Sequence, residues 1–196
     1  MSVIDLQCFE SMCVSKNSQN IYTNRKILSL GQYYGDQYII YLYFHLLPQY
    51  YIEHLEQAKL ILYKIPSVYG RGTTNIPRQQ TEQYKILPLL DYFSCYSNMY
   101  TPPQLDVSRE CVFQSDESRA YEEIDITDLV NDWSNQDLEN KGMMIQGNND
   151  SAFLQYASDK YDVLGMRPVI RMTYQSSVCP PMSMNQCSVQ VNKNEE

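Results

Sequence analysis

Apolar and polar residues alternate in short runs along most of the chain, the period of two that marks half-buried strands. The clearest run is 37–46, QYIIYLYFHL, with Ile40, Leu42 and Phe44 on one face and Ile39, Tyr41 and Tyr43 on the other. Pro48 ends it, since proline donates no ladder hydrogen bond. Residues 58–65, AKLILYKI, repeat the pattern, with Leu60 and Leu62 opposed to Ile61 and Tyr63. Further strands are predicted over 21–30, 83–90, 110–114, 121–126, 142–146, 152–156 and 167–174, with Gly, Pro, Asn or Asp between most of them. Ile52 and Leu55 are spaced for one helical turn over 51–57. A second helix is predicted after Thr127, which would cap it; Leu129, Val130 and Trp133 fall on one side and Asp128 favours the first turn. About 8–10 strands with one or two short helices, and no internal repeat, predict an all-β jelly-roll β-sandwich.

The two ends read differently. Residues 1–20 show weak periodicity and close on a polar cluster, so they are predicted to be a connector arm outside the core. Residues 176–196 contain the break Pro180-Pro181 and little bulk, predicting a Cys-containing tail. The domain itself is then 21–175. A length of 196 residues suits one domain. The net charge of −8 argues against a nucleic-acid partner or a polybasic membrane contact. No apolar run is long enough to span a membrane, and neither a basic n-region nor an apolar h-region marks an export signal.

Several segments together resemble the DNRLRE-type β-sandwich domains, bacterial surface modules related to a class of carbohydrate-binding modules. They are Ile27-Leu28-Ser29-Leu30 leading into Ile40-Tyr41-Leu42-Tyr43-Phe44, then 52–63 (IEHLEQAKLILY) and 124–133 (IDITDLVNDW). Gly142 with the strand after it and 167–174 (RPVIRMTY) complete the set. The resemblance spans about 21–175. It implies a jelly roll without catalytic machinery, serving a structural, adhesive or glycan-binding role at a surface.

The candidate chemistry agrees with a non-enzyme. His45 and His54 are the two histidines, and neither has a second ligand at metal spacing; Cys8-x4-Cys13 and Cys179-x7-Cys187 lack zinc-ribbon spacing. No nucleophile elbow, phosphate loop or dinucleotide fingerprint occurs, so no catalytic, metal or cofactor site is predicted. The chain has 18 Tyr against 5 Phe and 1 Trp. If Ile40, Leu42 and Phe44 face the core, Tyr41 and Tyr43, with Tyr63, point outward. They then stack on a surface glycan, bury against another subunit, or lie under a loop or terminal segment.

Four of the six cysteines, Cys8, Cys13, Cys179 and Cys187, fall in the terminal segments, and Cys95 and Cys111 in the middle. Cysteines on arms outside a core are placed to join subunits by disulfides. A head-to-tail contact of this kind does not close and makes a fibre. The expectation is a self-assembling homopolymer made in the cytoplasm and exposed later to oxidising surroundings, as spore coats and spore appendages are. A monomeric glycan-binding or adhesive module is the alternative.

Overall fold

The computed structural model describes residues 2–16, 25–46, 55–66, 83–94, 96–97, 101–116, 118–148 and 151–175. Each segment expected to be a strand contains one, with somewhat different bounds, residues 21–24 of the first lying outside the described residues: β3 (Ile27–Tyr33), β4 (Asp36–Tyr43), β5 (Leu55–Tyr63), β6 (Gln83–Pro88), β7 (Cys111–Gln114), β8 (Tyr121–Asp125), β9 (Met143–Gly147), β10 (Leu154–Ala157) and β11 (Val169–Tyr174). Two more precede them, β1 (Ser2–Gln7) and β2 (Glu10–Ser15). They form two antiparallel sheets, one ordered β1-β11-β5-β8, the other β10-β3-β4-β9-β6-β7 with β2 also paired to β4. The chain is an all-β sandwich. The helical turn expected over 51–57 is not found at Leu55–Gln57, which belong to β5 and pair with β11; the rest of that turn lies outside the described residues.

The main core lies between the sheets and contains Leu28, Ile40, Leu42, Phe44, Leu60, Leu62, Ile145, Ile170 and Met172. Helix α1 (Thr127–Ser134) turns Leu129, Val130 and Trp133 into it, as the spacing predicts. Its start differs in detail. Asp125 Oδ1 accepts from the Thr127 amide at 2.9 Å and from Thr127 Oγ1 at 2.6 Å. Thr127 Oγ1 in turn accepts from the Ala58 amide at 2.9 Å, so its hydroxyl ties the helix to β5 instead of capping.

A second, smaller cluster lies on the far face of β4, where Met12, Val14, Ile39, Tyr41, Leu87, Leu89, Phe93 and Met144 are all buried. The Phe93 ring lies 5.5 Å from Tyr41, nearly parallel to it. Both faces of β4 are therefore covered. Tyr41 is fully buried and its pKa is pushed up to about 12 by burial. Tyr41 does point to the face of β4 away from the main core, and of the alternatives for that face it is cover by a loop and a terminal segment that is found. Phe93 after β6 and Met12 and Val14 of β2 bury it, so it is not on the surface.

Candidate functional site

Residues 2–16 are the largest departure from the sequence reading. They are not a free arm but a part of both sheets. β1 pairs with β11 over six residue pairs, from Ser2 with Tyr174 to Gln7 with Val169. β2 pairs with β4 over six more, from Glu10 with Tyr43 to Ser15 with Tyr38. The crossing takes two residues. The Cys8 amide donates to Pro168 O at 2.9 Å on one side, and the Phe9 amide to Tyr43 O at 2.9 Å on the other. In β1 alternation leaves Ile4 and Leu6 half-buried against the core while Ser2, Val3, Asp5 and Gln7 are exposed. Every residue of β2 after Glu10 is buried. Burying side chains the size of Met12 and Val14 contributes about 1.5–3 kcal/mol each.

Polar anchors hold the segment. Arg171 Nε and Nη2 donate to the two Asp5 carboxylate oxygens, both at 2.8 Å, and this bond holds the Asp5 carboxyl below its ordinary value. Ser11 Oγ donates to the buried Asp159 carboxylate at 2.5 Å and accepts from the Asp159 amide at 3.1 Å. Ser15 Oγ donates to Asp36.

Cys8 and Cys13 were expected on an arm clear of the core; both are buried free thiols, 8% and 2% exposed. Cys8 Sγ donates to Glu10 O at 3.2 Å, and Cys13 Sγ to Ser29 O at 3.2 Å. Burial pushes both thiols up, Cys13 to about 12. With the segment in place neither is a ready nucleophile for disulfide exchange. Cys179, Cys187 and Cys95 lie outside the described residues. Cys111 is half-buried on β7 and its Sγ donates to Asp125 O at 3.3 Å.

Tyr41, Tyr43 and Tyr63 do not form one surface. Tyr63 lies on the other sheet, half-buried beside Tyr121 at 5.5 Å. Tyr43 is half-buried and belongs to a ring cluster at the end of β4. Phe9 meets Tyr43 and His45 edge-on, both at 6.1 Å, and Tyr92 lies 6.2 Å from Tyr43. Phe9 and Tyr92 are 64% and 59% exposed. Lys141 Nζ lies 5.8 Å from the Tyr92 ring centre and 3.0 Å from Glu139. Beside this cluster is a cleft of about 280 Å³ lined by Leu46, Trp133, Gln136, Leu138, Glu139 and Asn140. The buried Trp133 Nε1 has no partner among the described residues.

A second ring cluster occupies the opposite end of β4. Tyr33 lies 4.5 Å from Tyr34 and 4.8 Å from Phe153, which lies 5.5 Å from Tyr38. Tyr34 and Gly35 form the two-residue tip of the β3–β4 hairpin, with φ of +48° and +78°. Such a tip favours Asn-Gly, so a tyrosine in the left-handed region there costs about 1 kcal/mol. Sequence reading missed these clusters because their members come from segments far apart in the chain. The one local signal was Tyr34-Gly35 between two strand patterns.

No family model and no curated protein matches this chain.

Proposed function

We propose that this chain is a non-enzymatic structural subunit that assembles with copies of itself by exchanging residues 2–15. The observation that carries the reading is that one short segment, residues 2–15, completes both sheets, with β1 on β11 and β2 on β4. Exchange of such a segment between identical chains keeps all twelve register pairs, six on each sheet, so little free energy opposes it. Where the donor and the acceptor sit on different copies, each subunit gives one segment and receives one. A heterologous contact of that kind propagates head to tail.

The resemblance to DNRLRE-type modules supports a bacterial spore or cell surface as the setting. Burial of Cys8 and Cys13 modifies the disulfide expectation. Exchange re-buries both thiols in the receiving subunit, so strand contact comes first. Covalent joining falls to Cys179 and Cys187, with Cys8 or Cys13 as partners only in a subunit whose segment has left its groove.

The test is sedimentation of the full chain across concentrations, beside a Val3→Cys/Thr173→Cys double variant oxidised at low concentration. Val3 and Thr173 are cross-strand partners, so a bond between them locks β1 to its own body. The proposal requires concentration-dependent species from the native chain and monomer from the locked one. Equal association of both rejects exchange.

A glycan-binding module is the second reading, favoured by the exposure of Phe9 and Tyr92 around Tyr43. Binding of a saccharide by a strictly monomeric chain, abolished by Tyr43→Ala, would establish it instead.

A further inference from the structure

Cys8 and Cys13 lie in the same short segment, and both thiols are buried in the main core while it is seated. Their acceptors hold them apart. Cys8 Sγ reaches Glu10 O at 3.2 Å and Tyr43 O at 3.5 Å, whereas Cys13 Sγ reaches Ser29 O at 3.2 Å. Cys13 is the cross-strand partner of Ile40, three residues along β4 from Tyr43, so the two cysteines sit about 10 Å apart along the strand. A disulfide requires Cα atoms within about 7 Å. The seated segment and a Cys8–Cys13 bond therefore exclude each other. We propose that this pair is a redox latch on β2: a small-molecule disulfide such as oxidised glutathione bridges Cys8 to Cys13 when the segment is out, and the bridged segment can neither return to its own seat nor enter a neighbour's. This rests on the reading of residues 2–15 as the exchanging segment, and it names what regulates that exchange.

The chemistry closes without a further reactant. The thiolate of one cysteine attacks a sulfur of oxidised glutathione and displaces one glutathione thiolate, leaving a mixed disulfide. The thiolate of the other attacks the protein sulfur of that bond, closes the bridge and releases the second glutathione. The two protein thiols have lost two protons and two electrons, and the oxidant has become two thiols. Burial suppresses this in the seated state. Cys13 is pushed up to about 12 from 9.0, about a thousandfold fewer thiolates at neutral pH. Out of the seat, only four residues separate the pair, an effective concentration on the order of millimolar, well above that of thiols on other copies at micromolar protein. The bridge loops residues 9–12 off the strand path. The pairs from Glu10 with Tyr43 to Cys13 with Ile40 are then lost, and Met12 cannot enter the cluster around Tyr41. β1 alone retains only the half-buried Ile4 and Leu6. The order of events then matters. Oxidation before assembly makes a subunit that receives a segment but donates none, and so ends a chain. Oxidation after assembly finds both thiols buried in the receiving subunit.

The experiment treats the full chain with oxidised glutathione in urea below the unfolding midpoint, removes both, and maps disulfides by mass spectrometry. Cys8→Ser and Cys13→Ser, whose hydroxyls can donate to the same carbonyls, are processed in the same way. Two readouts follow: sedimentation velocity across concentrations, and fluorescence anisotropy of a labelled peptide of residues 2–15 carrying serine at both cysteine positions. The proposal expects a Cys8–Cys13 bond, an association midpoint at least about tenfold higher than that of the serine variants, and peptide binding at least about tenfold tighter. Reductant reverses all three, and oxidant added after assembly does not dissolve the assemblies. Glutathione adducts or bonds to other cysteines in place of the Cys8–Cys13 bond overturn the latch. So does a bridged chain that associates like the serine variants or refuses the peptide. A reduced native chain that stays monomeric at every concentration rejects exchange, and the peptide then decides the latch alone: binding only to the bridged chain upholds it, and equal binding to bridged and reduced chains rejects it.

Discussion

Replacing Met12 by alanine separates an integrated N-terminal segment from a free arm. Met12 is fully buried on β2, in the cluster with Ile39, Tyr41, Phe93 and Met144. Truncation removes the apolar transfer contribution and leaves a void beside rings that are fixed by stacking, so collapse onto it is poor. Methionine-to-alanine changes at such sites cost about 2–5 kcal/mol, and the packing here points to the middle of that range, about 3 kcal/mol. With a urea slope of about 2.5 kcal/mol/M, the midpoint falls by about 1.2 M. The assay is equilibrium urea unfolding followed by tyrosine and tryptophan fluorescence, at several protein concentrations so that association is held in view. A loss below about 0.5 kcal/mol with unchanged slope would refute the reasoning, because it is what an arm outside the core gives.

Four further predictions concern other contacts. Lys64→Met leaves the buried Glu122 carboxylate without the Lys64 ammonium, now 2.7 Å away, and should cost about 3–5 kcal/mol in the same unfolding assay. Gly31→Ala should be severely destabilising, by about 3 kcal/mol or more, since Gly31 has φ +89° and an added Cβ would lie 2.0 Å from Ala152 O; circular dichroism melts measure this. Asp5 has its carboxyl held down by the Arg171 hydrogen bond, so its contribution is present above the ordinary value of 3.8 and is lost as pH falls through the lower folded value. Asp5→Asn should therefore lower stability above about pH 4, by the modest amount a half-exposed pair contributes, and converge on the native curve at more acid pH, so that the acid slope is flattened. For Cys13, a pKa near 12 leaves about one thiolate in ten thousand at pH 8, so alkylation followed by mass spectrometry should label Cys13 only on unfolding, and Cys111 earlier.

The strands were legible because alternation survives wherever one face is buried and the other wet. β5 and β11 are clear examples, and α1 was legible from Leu129, Val130 and Trp133. β2 was not, because ESMCVS is buried almost throughout by small or sulfur-bearing residues, so neither alternation nor bulk marks it. β1 alternates but carries only Ile4 and Leu6 inward, too little for a period to stand out. Alternation put Tyr41 on the face away from the main core but could not choose what covers that face. The second cluster is assembled from β2, β4, β6, β9 and Phe93, and no local pattern encodes a loop folding back over a strand. The ring clusters were hidden for the same reason: Phe9, Tyr43 and Tyr92 become neighbours only through strand pairing and that loop.

The most direct measurement of strand exchange mixes two single variants, Val3→Cys and Thr173→Cys, under mild oxidation after joint incubation, and maps any disulfide by mass spectrometry. Neither chain can form this bond within itself, so a Val3→Cys to Thr173→Cys linkage requires β1 of one copy on β11 of another. The account predicts that linkage in a species of twice the chain mass, rising with concentration and incubation time. A mixture that associates yet never yields that linkage would contradict it.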